Sequence, residues 1–279
     1  MKKDELKEIL ETRKSESNKS TYGRLLIMGG SLSYPGSILI AASAALRTGV
    51  GYVALGVNEE TYDVVSCKIP EVIYEIFKTF KDKEKLESIL KYDTICFGNG
   101  FTDKNSPFAL DYLLSNYEGN LVIDATGLDT LKYVGLDKLK TTKAKVILTP
   151  HVGEFKRLFD VDIREDFESR KLLVEGLCKD YNCTIDLKDH ISVVSNGKDT
   201  YVVSNGSSGL AKAGSGDMLC GLVGGFITHI KKDPALVTYF AHSMMNEACN
   251  EVSKKMSLHS ITASDVISKI GKVLRKYEY

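Results

Sequence analysis

The sequence predicts an α/β fold, with a central, mostly parallel sheet, helices on both faces, and an antiparallel hairpin at one side. The predicted strands are continuous rather than alternating apolar runs, which is typical of strands buried on both faces. Helical segments separate these strands along the chain. Two β-rich runs also flank Asn196-Gly197 in ISVVSNGKDTYVVS, and Asn-Gly is the commonest short hairpin signal.

The order of elements follows from the same patterns. The predicted strands lie within GRLLIMGGS, YVALGV, TICFGNG, LVIDATG and KVILTPH. Several of them end in small or polar residues, so we expect a ligand site beyond the carboxyl ends of the strands. The predicted helices lie within GSILIAASAALRTG, EIFKTFKDKEKLESIL, GEFKRLF, residues 217–230, residues 234–255 and TASDVISKIGKVLRKY.

Length and composition favour a single domain over residues 1–279, with residues 1–20 as a polar N-terminal helix or extension. The 37 basic and 37 acidic residues are interleaved and give a formal net charge of +0. No broad positive field therefore exists for a nucleic acid or an anionic membrane, and no apolar stretch is long enough to span a bilayer. The six cysteines show no metal-ligand spacing, and we interpret them as reduced thiols of a cytoplasmic protein.

The stretch NGSSGLAKAGSGDMLCGLVGGF joins a glycine-rich loop to an apolar helix and carries one acid, Asp217. The unpaired N–H groups and the positive dipole end of a helix N-terminus favour phosphate oxygens, and glycine lets the backbone approach them closely. Gly214, Ser215 and Gly216 therefore form a candidate anion site. The residues alone leave two roles open for Asp217, a functional one and the capping of its own helix.

The helix that follows Asp217 is unusually rich in glycine. Each glycine inside a helix costs about 1 kcal/mol relative to alanine. A close approach of another backbone or of a ligand would account for that cost.

Five segments of the chain occur in an order and at a spacing that a known family shares. They are GRLLIMGGSLSYPGSILIAASAALRTGVGYVAL, ICFGNGF, VIDATGLDTL, LTPHVGEFKRLF and NGSSGLAKAGSGDMLCGLVGGF. Together they resemble the ADP/ATP-dependent NAD(P)H-hydrate dehydratase family, a branch of the ribokinase-like superfamily, over nearly the whole chain. The GxGD motif alone indicates the superfamily, whereas the TPHxGEF and YPGS segments point to the dehydratase branch. The resemblance implies a ribokinase-like fold and the repair of hydrated NADH and NADPH.

The resemblance also implies a set of site residues. It implies that Asp217 contacts the substrate hydroxyl and that Gly216, in the anion site, contacts the nucleotide. Ser37, Gly100 and His151 fall where the family holds the hydrated dinucleotide. The segment that falls at the family's adenine-nucleotide site is Lys188, Asp189, His190, Ile191 and Ser192.

The sequence departs from the family's pattern in its DATGLD segment, where the family has a DADALN-like one, and at four further positions in or beside these segments. Ser37 stands where the family usually has alanine, Asn99 and Val152 stand where it has proline, and Asp189 stands where it has glycine. None of these changes removes Asp217, His151 or the glycines of the anion site.

The implied reaction is the dehydration of an alcohol, which requires a better leaving group than hydroxide. Transfer of a phosphoryl group to the hydroxyl supplies one, with Asp217 accepting the hydroxyl proton and the amides of residues 214–216 stabilising the transferring group. The phosphorylated intermediate then eliminates phosphate, so that ADP leaves AMP and ATP leaves ADP. The resemblance further implies Mg²⁺, with Glu154 as the carboxylate to test beside it, and a homo-oligomer.

Two other functions stay open from the sequence. The first is a ribokinase-like kinase of a small vitamin alcohol, of the hydroxymethylpyrimidine or thiazole type, which would use the same base. The second is a nucleotide-binding regulator without catalysis. Two single residues stay open as well, because His151 and Asp124 each suit either a ligand contact or a purely structural hydrogen bond.

Overall fold

The strands form one nine-stranded sheet in a computed structural model that describes residues 9–10, 12–163 and 166–278. They are β1 (Arg24–Met28), β2 (Tyr52–Asn58), β3 (Ile73–Phe77), β4 (Thr94–Phe97), β5 (Asn120–Ile123), β6 (Lys145–Leu148), β7 (Thr184–Leu187), β8 (Ser192–Ser195) and β9 (Thr200–Val203). Their order across the sheet is β3-β2-β1-β4-β5-β6-β7-β8-β9. The strands from β3 to β7 are parallel, and β8 and β9 add two antiparallel pairings at one edge.

The α-helices connect and cover these strands. They are α1 (Pro35–Leu46), α2 (Glu59–Val65), α3 (Lys83–Ser88), α4 (Ser106–Asn116), α5 (Thr126–Val134), α6 (Val152–Phe159), α7 (Phe167–Tyr181), α8 (Ser215–His229), α9 (Pro234–Ser253) and α10 (Ala263–Leu274). None of the helices in the described ranges is both long and apolar enough to cross a membrane.

Successive residues of each central strand pack on opposite faces of the sheet, as the two-residue period of a strand requires. On β1, Leu25 and Ile27 join the core under α1, α8, α9 and α10. Leu26 and Met28 join the core under α3 to α7. The prediction of a mostly parallel sheet with helices on both faces is therefore confirmed.

The predicted hairpin is also confirmed. Strands β8 and β9 pair antiparallel, and the turn between them is closed by the Asn196 N–H, which donates to the Asp199 carbonyl oxygen at 3.2 Å. Gly197 has a φ of +83° in this turn, which is the conformation that favours glycine. The hairpin covers one edge of the parallel sheet.

The helix predicted over EIFKTFKDKEKLESIL is wrong in its first part. Ile73–Phe77 is the edge strand β3, which pairs parallel with β2, and the helix α3 begins only at Lys83. Edge exposure explains the error, since Ile73 and Ile76 are 48% and 38% exposed and the strand lacks a fully apolar pattern. Strand β7 had no prediction either.

Of the polar helix or extension predicted over residues 1–20, residues 1–8 and 11 lie outside the described residues. Residues 12–18 form turns and irregular structure, and Lys19–Tyr22 forms a short 3₁₀ helix capped by Asn18. The Asn18 side chain accepts from the Ser20 N–H at 2.9 Å and so caps the start of this 3₁₀ helix, which is followed by β1.

Candidate active site

The candidate site lies beyond the carboxyl ends of the parallel strands, as in other open α/β sheets. The residues that follow these ends come together at one edge of the sheet. They are Gly29 and Gly30 after β1, Gly98 to Gly100 after β4, Asp124 after β5, Thr149 to His151 after β6 and Lys188 after β7. Helix α8 runs over the same edge and places its first turn against them.

Asp217 lies in the first turn of α8 but does not cap that helix. Its Oδ1 accepts a hydrogen bond from Asn99 Nδ2 at 2.9 Å. The N-terminal residue Gly214 has no side-chain capping hydrogen bond. The carboxylate of Asp217 thus faces the ends of the strands, and the capping role left open by the sequence is wrong.

A buried chain of polar groups links Asp217 to Lys188. Asn99 Nδ2, which donates to Asp217, also donates to Asp124 Oδ2 at 3.2 Å. Asp124 Oδ1 accepts from Lys188 Nζ at 2.8 Å and from Thr149 Oγ1 at 2.8 Å. Asp124 and Asn99 are 1% and 0% exposed, so these contacts are shielded from water and keep their full electrostatic strength.

The pKa values of Asp217 and Lys188, at the two ends of this hydrogen-bonded network, are both raised, but for different reasons. Burial raises the pKa of Asp217 above its usual range, and the nearby Asp124 carboxylate adds to this effect, while hydrogen bonds from Asn99 and Ser37 oppose it. Burial acts to lower the pKa of Lys188, but the carboxylates of Asp124 and Glu154 outweigh it and raise that pKa. Lys188 is therefore a fixed positive charge, and Asp217 is a carboxylate with a strengthened affinity for protons.

The N-terminus of α8 has the features of an anion site. Gly214 has a φ of +90°, and its backbone turn leaves the first N–H groups of α8 without a side-chain acceptor. A Cβ at Gly216 would lie 3.4 Å from Lys188 Nζ, so the lysine ammonium is adjacent to the helix end. The helix dipole and Lys188 therefore place positive potential at the same point.

A cavity of about 700 Å³ opens beside this helix end. Seven residues predicted for the site line it, namely His151, Lys188, Asp189, His190, Ser192, Ser215 and Gly216. The wall also includes the 206–208 loop, Leu210, Ala211, Lys212, Leu219, His242, Met245 and Asn246. Its size is within the range of small-molecule and cofactor sites.

The segment of residues 188–192 forms a tight turn at the cavity wall. Ser192 Oγ donates to the Asp189 carbonyl oxygen at 2.9 Å and accepts from the Asp189 N–H at 3.1 Å. Burial acts to raise the pKa of Asp189, but hydrogen bonds from the His190 backbone N–H, at 2.7 Å, and from the His190 ring, with the charge of Arg170 at 2.6 Å, hold it low. The charge of Asp189 is thus neutralised beside the cavity, whereas Ile191 does not line it.

His151 has the structural role that the sequence left open, and its position is also compatible with the ligand contact, which stays a prediction. Its Nδ1 accepts from the backbone N–H groups of Gly153 and Glu154, at 3.0 and 3.2 Å, and so caps α6. Its ring is 55% exposed and lines the cavity. Asp124, by contrast, caps no helix, because the position before α5 is Ala125 and Asp124 binds Asn99, Thr149 and Lys188 instead.

Ser37 and Gly100 lie next to each other and are not among the residues that line the cavity, and Ser37 hydrogen-bonds the Asp217 carboxylate. A Cβ at Gly100, where φ is +65°, would lie 3.0 Å from Ser37 Cβ and 2.8 Å from Tyr34 Cβ. Only glycine fits between the two chain segments at this point. The structure therefore brings Ser37, Gly100 and Asp217 to one place and leaves the exposed Tyr34 at its rim.

Three glycines inside α8 lie where that helix packs closely against its neighbours. A Cβ at Gly221 would lie 2.0 Å from the Ala41 carbonyl oxygen, and one at Gly225 would lie 2.3 Å from Thr48 Oγ1. A Cβ at Gly224 would lie 2.3 Å from Cys96 Sγ. These glycines thus let α8 pack closely on α1 and β4, while the glycine beside the anion site is Gly216.

The contacts of Glu154 are those of a helix-capping residue rather than of a metal ligand. Its Oε2 accepts from the His151 N–H at 2.8 Å and lies 4.0 Å from Lys188 Nζ. Within the described ranges, no group of three or more His, Cys, Asp and Glu side chains is arranged to hold a metal ion. Mg²⁺ often binds through substrate phosphates with few protein ligands, and the residues of this site fit only that mode.

Several site residues had no prediction from the sequence. The sequence marks Asn99 only as a departure from a family pattern, and it predicts no role for Thr149, His242 or Asn246. Their contacts join residues from distant parts of the chain, such as the 118 positions between Asn99 and Asp217. A polar residue directly after an apolar strand is the sequence feature that could have indicated a site residue, and Thr149, which follows β6, has this feature.

A parallel α/β sheet with a glycine-rich helix N-terminus, a part-buried acid in its first turn and an adjacent cavity is the arrangement expected of a nucleotide-binding protein. Comparison with known proteins makes this more specific. The chain belongs to the NAD(P)H-hydrate dehydratase family, whose model matches residues 25–272.

Individual relatives support the same assignment. The chain is 29% identical to the ADP-dependent (S)-NAD(P)H-hydrate dehydratase of Nitrosopumilus maritimus, with 98% of this chain and 96% of the relative covered. It superposes on the crystal structure of the ADP/ATP-dependent NAD(P)H-hydrate dehydratase of Bacillus subtilis, co-crystallised with ATP and Mg²⁺, with a TM-score of 0.84 at 26% identity and coverage of 99% and 98%. The predicted ribokinase-like fold is thereby confirmed.

A longer relative shares only part of its length with this chain. The bifunctional NAD(P)H-hydrate repair enzyme of Methanopyrus kandleri is 31% identical over 93% of this chain. The chain spans about half of that relative, 50% of its length.

Proposed function

We propose that this protein dehydrates the S form of hydrated NADH or NADPH at the expense of ADP or ATP and so restores NAD(P)H. The observation that supports it most directly is the position of Asp217. This part-buried acid lies in the first turn of α8, directly after Gly216 of the anion site, and its carboxylate accepts hydrogen bonds from Asn99 and Ser37. A hydroxyl group and a phosphate can thus meet at one carboxylate.

The proposed reaction has two steps. Asp217 accepts the proton of the substrate hydroxyl as its oxygen attacks the terminal phosphorus of the nucleotide, and the bond from that phosphorus to the bridging oxygen breaks. AMP leaves from ADP, or ADP leaves from ATP. The carbon–oxygen bond of the phosphorylated substrate then breaks, phosphate departs, and loss of a proton from the neighbouring carbon forms the double bond of NAD(P)H.

The surrounding residues have separate proposed roles. Gly214, Ser215 and Gly216 donate backbone N–H groups to the phosphates, and Lys188 supplies a fixed positive charge there. Asp189, His190, Ile191 and Ser192 form the turn beside the nucleotide, and Ser37, Gly100 and His151 contact the hydrated dinucleotide. Mg²⁺ would enter with the nucleotide and neutralise phosphate charge.

The experiment that tests this proposal is recovery of the reduced-nicotinamide absorbance from hydrated NADH epimers, with Mg²⁺ and ADP or ATP, in wild type and Asp217→Asn. We expect nucleotide-dependent recovery that falls by about 10²–10⁴-fold in the variant, the usual contribution of a general base. Asp129→Asn is the matched control, because Asp129 is an exposed acid that pairs with Arg157. Recovery that is equal in wild type and Asp217→Asn would contradict the role of Asp217.

The kinase of a small vitamin alcohol is the weaker alternative, because the relatives that match nearly the whole chain carry the dehydratase name. It would use the same Asp217 and the same anion site. Absence of NADH recovery by a folded protein that phosphorylates a hydroxymethylpyrimidine or a thiazole alcohol would favour it. A regulator without catalysis would bind nucleotide and consume none with either substrate class.

We further propose that the protein acts as one domain, as a homo-oligomer, and in the cytoplasm. The strands of the described residues share one sheet, which supports a single domain. Leu32 and Tyr34, in the loop before α1, are 58% and 55% exposed, which supports a subunit contact at this loop. All six cysteines are free thiols, which supports a reducing compartment, and light scattering of the purified protein would test the oligomer.

A further inference from the structure

A buried acid and a histidine that the proposed reaction does not use lie at the wall of the cavity. Asp186 is on β7, two residues before Lys188, and His242 is on α9. Asp186 Oδ2 lies 2.9 Å from His242 Nδ1, and the side chains of the two residues are 0% and 7% exposed. This pair thus connects the core of the protein to the cavity, which His242 lines.

The pairing fixes the orientation and the tautomer of the imidazole. Asp186 Oδ1 is buried and has no hydrogen-bond partner within the described ranges, so His242 is the group that satisfies this carboxylate. An unpaired buried carboxylate is costly, and an ionised carboxylate only accepts hydrogen bonds. The Nδ1 atom of His242 therefore donates to Asp186, and the tautomer of the imidazole that this contact selects carries its lone pair on Nε2.

Nε2 is the polar group that His242 presents to the cavity. Within the described ranges, the hydrogen bond that this ring makes is the one from Nδ1, and the residues that line the cavity beside it on α9 are Met245 and Asn246. Met245, one turn further along α9, and Leu219, on α8, line the same wall. Apolar side chains beside a directed hydrogen-bond acceptor suit the flat, apolar face of a nucleoside that carries a donor group.

We propose that His242 is a specificity-determining residue for the nucleotide, accepting through Nε2 a hydrogen bond from a donor on the nucleoside, and that Asp186 is its positioning residue. This inference rests on the proposed function, because that function places an adenine nucleotide in the cavity. Two donors on such a nucleotide fit the acceptor, the 6-amino group of the base and a ribose hydroxyl.

The test is calorimetric titration at pH 8 of wild type, His242→Phe and Asp186→Asn with ADP, IDP and 2′-deoxy-ADP. IDP replaces the 6-amino donor by an oxygen, and 2′-deoxy-ADP lacks one ribose donor. We expect wild type to prefer ADP over one of these analogues by about tenfold, the effect of one hydrogen bond. In His242→Phe that preference should fall to about one, and the analogue concerned identifies the donor.

Asp186→Asn tests the positioning role separately. Its amide presents either an acceptor or a donor to Nδ1, so it no longer determines which nitrogen of His242 carries the proton. We expect the same preference to weaken while the imidazole is still present. His229→Phe is the matched control, because His229 is a half-buried histidine whose Nε2 lies 3.1 Å from the Thr48 carbonyl oxygen, away from the cavity, and its preference should equal that of wild type.

The outcomes separate this inference from the proposed function. A wild type that binds neither ADP nor ATP would overturn both. A folded His242→Phe, shown by its circular dichroism, that binds ADP with the wild-type preference over both analogues would overturn the role of His242 and leave the proposed function standing. An unchanged preference in Asp186→Asn would overturn the role of Asp186, even where His242→Phe fails to fold.

Discussion

The side-chain amide nitrogen of Asn99 lies 2.9 Å from Asp217 Oδ1 and 3.2 Å from Asp124 Oδ2. One amide group therefore donates to the proposed base and to the carboxylate that binds Lys188. Such a hydrogen bond favours the ionised form of a carboxylate, whereas the burial of Asp217 and the charge of Asp124 raise its pKa. The ionisation of Asp217 thus depends on Asn99.

Asn99→Leu is expected to move the pH dependence of the proposed reaction. Loss of the amide donor raises the pKa of Asp217 further, so the acid limb of the kcat/KM profile should shift to higher pH. On that limb the rate should fall by about tenfold, the effect expected of one hydrogen bond, and the loss should be smaller at high pH, where Asp217 is ionised. The measurement is the pH–rate profile of NADH recovery.

The control for this prediction is Asn116→Ala, which changes an exposed asparagine on α4. Its profile should coincide with that of wild type. An equal loss of rate at every pH in Asn99→Leu would mean that Asn99 supports the geometry of the site without affecting the pKa of Asp217.

Asp217→Asn is expected to stabilise the protein against unfolding at neutral pH. The folded state raises the pKa of Asp217 above its unfolded value, so the folded state binds more protons, and stability falls as the pH rises through the interval between the two values. The amide does not ionise and avoids this loss. The variant should therefore have a higher Tm than wild type at pH 7 without nucleotide, and the same Tm below about pH 3.

Thermal unfolding across this pH range is the measurement. The exposed Asp129→Asn serves again as the control, and its Tm difference from wild type should not grow between pH 3 and pH 7. A lower Tm for Asp217→Asn at pH 7 would show that the ionised carboxylate contributes net stability in spite of its raised pKa.

Lys188→Met is expected to lower the free energy of unfolding through Asp124. The side chains are 18% and 2% exposed, so the substitution leaves a buried carboxylate without its cation. Removal of one partner from such a pair typically costs about 3–5 kcal/mol, and the lower end applies because Thr149 and Asn99 still donate to Asp124. Urea unfolding of the folded variant measures this cost.

A double-mutant cycle separates the pair from other effects. Asp124→Asn combined with Lys188→Met should cost less than the sum of the single changes, by about 1 kcal/mol or more. Lys143→Met is the matched control, because Lys143 pairs with Glu118 on the surface, and its cost should stay within about 0.5 kcal/mol. Additive single effects would show that Lys188 and Asp124 are not coupled.

Most of the fold was predictable because its central strands are buried on both faces and appear as short apolar runs. Two strands were not. Strand β3 lies at the edge, where Ile73 is half-exposed and Glu75 pairs with Lys85, so its sequence also fits a surface helix. Strand β7 contains Asp186, which interrupts the apolar pattern and is satisfied by His242 at a separation of 56 residues.

Some features of the candidate site were likewise predictable from the sequence, and others were not. The backbone features of the anion site, Gly214 and Gly216, follow from local sequence, because a glycine-rich loop before a helix has a direct electrostatic consequence. The contacts of Asp124 with Lys188, 64 residues away, and of Asn99 with Asp217 depend on which strands are neighbours. A single sequence does not contain that pairing, so these contacts required the structure.

Two glycines of α8 should respond oppositely to the same substitution. Gly221→Ala places a Cβ 2.0 Å from the Ala41 carbonyl oxygen, so we expect it to push α8 from α1 and cost about 3 kcal/mol of unfolding free energy. At Gly216 the nearest atom to a new Cβ is Lys188 Nζ, at 3.4 Å, and Lys188 has a flexible side chain. Gly216→Ala should therefore keep or raise stability, since alanine favours the helix, and weaken nucleotide binding.

Urea unfolding and ADP titration of both variants measure the two effects. Packing predicts a loss of stability for Gly221→Ala, with nucleotide affinity per folded molecule much less changed. The role of Gly216 as a ligand contact predicts the reverse, because its Cβ would occupy the space between the first turn of α8 and Lys188, where the phosphates are proposed to bind. Unchanged ADP affinity in Gly216→Ala would show that the phosphates do not bind at the first turn of α8. A fully stable Gly221→Ala would show that α8 and α1 can separate at little cost, and the glycines of this helix would then need an explanation other than close packing.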